Sequence, residues 1–148
     1  MLEPVLNCRS NGDDNPVTRN RVVLTAALLS HIFAWAATLF FIFWPVYSGV
    51  SVRAGESGSS SVSGKTLIEV NGLWAALLIV LPIIFTAIAL IASLPSVARP
   101  RLMLTLRWTA FALLFTFCAV GALSIGIFYL PAAIATLVAA IAAGTGRN

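Results

Sequence analysis

Apolar positions run almost unbroken from Val22 to Trp44, from Leu73 to Leu94, and again from Leu102 to Ala143. Each of the first two runs is close to the ~20 residues that a helix needs to cross about 30 Å of hydrocarbon at about 1.5 Å per residue. As a single helix the third would be about 60 Å long, twice that thickness, so it folds back on itself. The break falls at Gly121-Ala-Leu-Ser-Ile-Gly126, where two glycines and Ser124 loosen the helix. Pro131 then suits the first turn of the next helix, where its missing N–H is harmless. The pattern predicts an all-α fold, a four-helix transmembrane bundle.

The long polar stretch from Tyr47 to Gly72 lies between the first two spans. Its ends carry strand-like patterns, alternating in Val50-Ser-Val52-Arg53 and β-branched in Thr66-Leu-Ile-Glu-Val70, around a serine-glycine connector. A short β-hairpin over one mouth of the bundle is expected, with Asn71-Gly72 as a turn before the second span. Trp44, Trp74 and Tyr129 are expected at headgroup level as membrane anchors.

Composition agrees with a membrane protein. Of 148 residues, 59% are hydrophobic and 9% charged, against about 25% charged in soluble domains. The net charge of +4 comes from scattered residues without a Lys/Arg-rich run, so no nucleic-acid partner is expected. Arg9, Arg19, Arg21, Arg99, Arg101, Arg107 and Arg147 fall on one side of the predicted membrane, against Arg53 and Lys65 on the other. The positive-inside rule then makes both termini cytoplasmic.

These signals divide the chain into a disordered cytoplasmic tail at 1–21, helices at 22–45, 72–94, 102–121 and 127–144, an outer loop at 46–71, a cytoplasmic loop at 95–101, a tight outer turn at 122–126 and a cytoplasmic tail at 145–148. Ala34-Trp35-Ala36 resembles a signal cleavage site, but the apolar run continues through it to Trp44, so the first span is read as an uncleaved anchor.

Small residues four apart mark helix seams in lipid, where close packing replaces the hydrophobic drive. Ala26, Ser30, Ala34 and Thr38 form such a row in the first span, and Ala135, Ala139 and Ala143 in the fourth, with Ala132, Thr136, Ala140 and Gly144 beside them. Packing within one bundle is the favoured reading, a dimer interface the other. Pro82 removes a backbone donor inside the second span and predicts a kink.

Ionisable residues at mid-bilayer cost about 2.5–3.5 kcal/mol and are leads to function. Two lie within the spans, His31 and Arg107, and none of the carboxylates does. His31 is expected as a packed residue bonded to a Ser or Thr; as a haem or pigment ligand it would stand alone, without ligand spacing. Arg107 is expected to snorkel toward the headgroups. Catalytic, metal and phosphate-loop spacings were sought in the sequence and are not found, so neither an enzyme nor a cofactor is expected. Cys8 and Cys118 lie in different phases, which argues against a disulfide.

Tyr47-Ser-Gly49, Thr66-Leu-Ile-Glu-Val-Asn-Gly72 leading into a proline-bearing span, and Gly126-Ile-Phe-Tyr-Leu-Pro131 together resemble small four-span bacterial membrane proteins of unassigned function. The resemblance implies this topology and a bacterial plasma membrane. The claudin-type topology is also similar, through Gly72-Leu-Trp74, but its paired loop cysteines are absent and its function is not carried over. The expected role is an accessory or assembly subunit that contacts a membrane-protein partner or forms a homo-oligomer. The alternative is a small oligomeric channel or carrier, with Thr86, Thr109, Thr116 and Thr136 along a polar path.

Overall fold

The computed structural model describes residues 16–45, 47–51, 61–94 and 99–145. The expectations for the 1–15 tail with Cys8, the connector at 52–60, the 95–98 loop and the C-terminal residues 146–148 fall outside the described residues.

The chain is mostly helical, with four helices long and apolar enough to cross a membrane. Helix α1 spans Pro16–Phe43, so residues 16–21 are helical rather than part of a disordered tail. Hydropathy marks where a helix enters lipid and not where its hydrogen bonds begin; Pro16 stands at the start, where a proline's missing donor is harmless. The helix stops before Pro45, which disfavours helical backbone in the residue it follows.

Strands β1 (Tyr47–Ser51) and β2 (Ser61–Lys65) pair antiparallel, with Tyr47 opposite Lys65 and Val50 opposite Val62. The strand-like Thr66–Val70 segment is not in this ladder. It enters helix α2 (Leu67–Asn71), because Thr66 and Glu69 form a reciprocal cap: Thr66 N–H donates to Glu69 Oε2 at 2.7 Å, and Glu69 N–H to Thr66 Oγ1 at 3.4 Å. Two satisfied backbone donors and the burial of Leu67 outweigh the weak β preference of Ile68 and Val70. Gly72 then turns the chain at φ 68°, a conformation glycine adopts without strain, and α3 (Leu73–Ile91) follows.

Helix α4 covers Pro100–Val120. A turn at 121–125 leads to one turn of 3₁₀ helix, Gly126–Tyr129, and then to α5 (Leu130–Gly144), with Pro131 in its first turn. The turn closes when Gly126 N–H donates to Gly121 O at 2.7 Å. A Cβ on Gly126 would lie 2.5 Å from Cys118 O and 2.6 Å from the Gly121 carbonyl carbon, so only glycine allows this approach.

The most extensive contact is between α1 and α5; α1 also packs on α3, and α4 on both α3 and α5. The centre of the bundle is narrow because its contact residues are small: Ala27, Ala34, Ala132 and Ala140 are fully buried. Large apolar side chains cover the outside, including Ile32, Ile84, Phe115 and Ile134.

Candidate functional site

The buried polar side chains come from several elements: Ser30 and Thr38 from one face of α1, Thr86 from α3 with Ser93 just past its end, and Thr136 from α5. Ser30, Ala34 and Thr38 lie one turn apart, and all three are buried. Ser30 Oγ donates to Ala132 O at 2.8 Å and lies 2.6 Å from Thr136 Oγ1, which itself bonds Ala132 O at 2.8 Å. This tier joins α1 to α5. A hydroxyl in lipid gains by such pairing because no water competes for it.

Two turns along α1, Thr38 Oγ1 donates to Ile79 O at 3.1 Å and meets Tyr129 Oη at 3.0 Å. Tyr129 Oη also lies 3.3 Å from Ile79 O. Two segments, α1 and the 3₁₀ turn, thus converge on one α3 carbonyl. Ile79 lies in the turn before Pro82, whose missing N–H leaves the neighbouring Leu78 carbonyl, four residues back, without its helical donor.

Tyr129, expected as an anchor, faces the inside of the bundle. It is 0% exposed, with its ring against Phe41 and Phe117. The single 3₁₀ turn before α5 rotates it into the bundle, a rotation that a position next to Leu130-Pro131 does not reveal. Trp44 and Trp74 are 61% and 77% exposed, at the end of α1 and the start of α3, on the hairpin side.

His31 is half-buried between α1 and α3. Its Nδ1 lies 3.0 Å from Thr86 Oγ1, and Trp35 Nε1–H donates to its Nε2 at 3.1 Å. An indole N–H can only donate, so Nε2 is the acceptor and the ring's proton sits on Nδ1. His31 Nδ1–H therefore donates to Thr86 Oγ1, and Thr86 donates onward to Pro82 O at 2.9 Å or Ile83 O at 3.0 Å. Every donor in this series has an acceptor. A metal or pigment at His31 would have to displace Trp35 from Nε2.

Arg107 does not simply reach for the headgroups. Its Nη2 donates to Ala92 O at 2.6 Å, at the C-terminal cap of α3, while Nε is buried with no partner among the described residues. The last carbonyls of a helix lack partners and carry its negative pole, so a guanidinium is well matched to them. The contact clasps α4 to α3.

The small residues of the expected seam are placed as follows. Ala26, Ser30, Ala34 and Thr38 are buried, but on α5 the buried residues are Ala132, Ala133, Thr136, Ala139 and Ala140; Ala135 and Ala143 are only half-buried. The expected polar path is not assembled within one bundle. Thr86 and Thr136 point inward, whereas Thr109 and Thr116 are exposed on α4, and Thr116 bonds back to Ala112 O at 2.8 Å. By spacing alone Ser30 and Thr38 are small seam residues; the signal for more is that hydroxyl residues occupy alternate positions of an otherwise alanine row. Among the described residues no group of three or more His, Cys, Asp or Glu side chains is placed to hold a metal ion.

No protein-family model, curated protein or solved structure matches the chain.

Proposed function

We propose that this protein is a non-enzymatic accessory or assembly subunit of a membrane complex in the bacterial plasma membrane. Both termini face the cytoplasm in this reading, and the hairpin and α2 lie on the outer side, as the arginine distribution suggests. The observation that carries the proposal is the use of the interior polar groups: Ser30 with Thr136, Thr38 with Tyr129 and His31 with Thr86 each tie two elements of the same bundle together. Groups engaged in this way hold the helices of the bundle together. Contact with other molecules then falls to the outside, where α4 is the least covered span and exposes Trp108, Leu113 and Phe115.

Purification of the natively expressed, tagged protein in mild detergent, followed by mass spectrometry, tests the reading. A stoichiometric membrane-protein partner supports it. A homo-oligomer without partner that passes solutes in proteoliposomes replaces it with the channel or carrier reading, since a closed four-helix core needs several copies to form a pore.

A further inference from the structure

Helix α3, Leu73–Ile91, is about 28 Å long at helical rise, close to the ~30 Å of hydrocarbon, so its two ends mark the two membrane boundaries. Ala92 stands just beyond one of them, and Arg107 Nη2 donates to its carbonyl at 2.6 Å. The guanidinium therefore lies at headgroup level, although the Arg107 backbone is about 10 Å along α4 from Pro100.

Its charge has no counterion within the described bundle. Among the described residues the single carboxylate side chain is that of Glu69, in α2 at the opposite end. The Arg107 end instead presents Arg21 on α1 and Arg99 and Arg101 at the start of α4, all exposed, with Arg19 partly so. Leu90 packs beside Ala26 and Ala27, which sets the first turns of α1 level with the end of α3.

We infer that Arg107 is the headgroup site for an anionic phospholipid, whose phosphate it binds. The guanidinium is held in place through Nη2, Nε has no partner among the described residues, and the side chain is still partly exposed. A planar donor fork matches phosphate oxygens, and one already fixed by the bundle loses less side-chain freedom on binding than a loose surface arginine. The surrounding arginines set the preference: they attract a headgroup of net negative charge and repel the ammonium of a zwitterionic one. Depth favours phosphate over a carboxylate from a partner helix. At the end of α3 every neighbouring lipid supplies a phosphate, whereas the apolar spans offer a carboxylate no favourable place beside them.

The test uses the full-length protein in phosphatidylcholine nanodiscs containing a minority of phosphatidylglycerol, with the lipids that stay bound identified by native mass spectrometry. Retention of phosphatidylglycerol above its share of the bilayer is expected. Arg107→Gln should lower that preference about fivefold, the worth of one basic residue at an anionic surface, and Lys65→Gln, at the hairpin end, should leave it unchanged. If Arg107→Gln does not reconstitute, Arg107→Lys replaces the fork with a point charge and should also weaken the preference. A preference indifferent to the substitution at Arg107 overturns the inference. Bound lipids that match the bilayer's composition overturn it equally and leave Arg107 to a partner's carboxylate. Inorganic phosphate held by the protein in pure phosphatidylcholine, without any preference for phosphatidylglycerol, would assign the site to a free anion and overturn it too.

Discussion

The hydroxyls of Thr38 and Tyr129 lie 3.0 Å apart although 91 positions separate them in the chain, and both reach the carbonyl of Ile79. One carbonyl near the proline of α3 thus gathers the first span and the entry to the last. Tyr129→Phe keeps the ring and removes the hydroxyl; the expected loss is about 1 kcal/mol, within the range for hydrogen bonds between membrane helices. Tyr129→Ala also removes the ring from between Phe41 and Phe117 and is expected to cost about 3–5 kcal/mol. Unfolding in mixed micelles by titration with dodecyl sulfate measures both. Equal losses would mean that the ring contributes nothing and that Tyr129 is not packed as described.

Gly126 and Gly144 should respond oppositely to alanine. At Gly126 the added methyl meets backbone atoms of Cys118 and Gly121 that cannot rotate away, and a loss of about 1–3 kcal/mol is expected, as for overpacking elsewhere. At Gly144 nothing lies within 4 Å of the added atom, and a helical Gly→Ala change is expected to be neutral or to stabilise by up to about 1 kcal/mol. The same detergent unfolding assay compares the pair, and a tolerated Gly126→Ala would contradict the close turn.

Nitrogen-15 spectroscopy of labelled histidine reads the His31 tautomer directly. A protonated Nδ1 and a bare Nε2 are expected, because Trp35 donates to Nε2. A double-mutant cycle with His31→Ala and Thr86→Val should give a coupling of about 0.6 kcal/mol, with about 1.7 kcal/mol as the upper end. An Nε2–H signal would break the series from Trp35 to Pro82.

Arg107→Met keeps much of the apolar stem and deletes the donor to Ala92 O. A loss of about 1.5–3 kcal/mol is expected for a hydrogen bond from a charged group, with faster amide exchange confined to the end of α3 near Ala92 and Ser93. Arg107→Lys should recover only part of it, because a flexible ammonium does not reproduce the planar donor fork. Exchange rates unchanged by either substitution would remove the clasp.

The sequence alone determined the number of helices long and apolar enough to cross a membrane. Apolar length, divided by the helical rise, leaves no other solution for Val22–Trp44, Leu73–Leu94 and the doubled tract after Leu102, and Gly121, Gly126 and Pro131 mark where that tract folds back. Local chemistry settled more than propensity did: the Thr66–Glu69 cap was readable in principle, yet β-branched content pointed to a strand. What only the tertiary structure decided is which way each side chain faces. In water a buried face is apolar and an exposed one polar, so the period of the pattern reveals the interior. In lipid both faces are apolar and that contrast vanishes. The small residues of the α1 row, Ala26, Ser30, Ala34 and Thr38, are buried, and on α5 Ala132, Thr136, Ala139 and Ala140 are, because close approach needs small side chains there. Tyr129 carried no such mark, and its burial follows from the 3₁₀ turn that precedes α5 and from the carbonyl of Ile79 waiting beneath it, a partner supplied from 50 positions away.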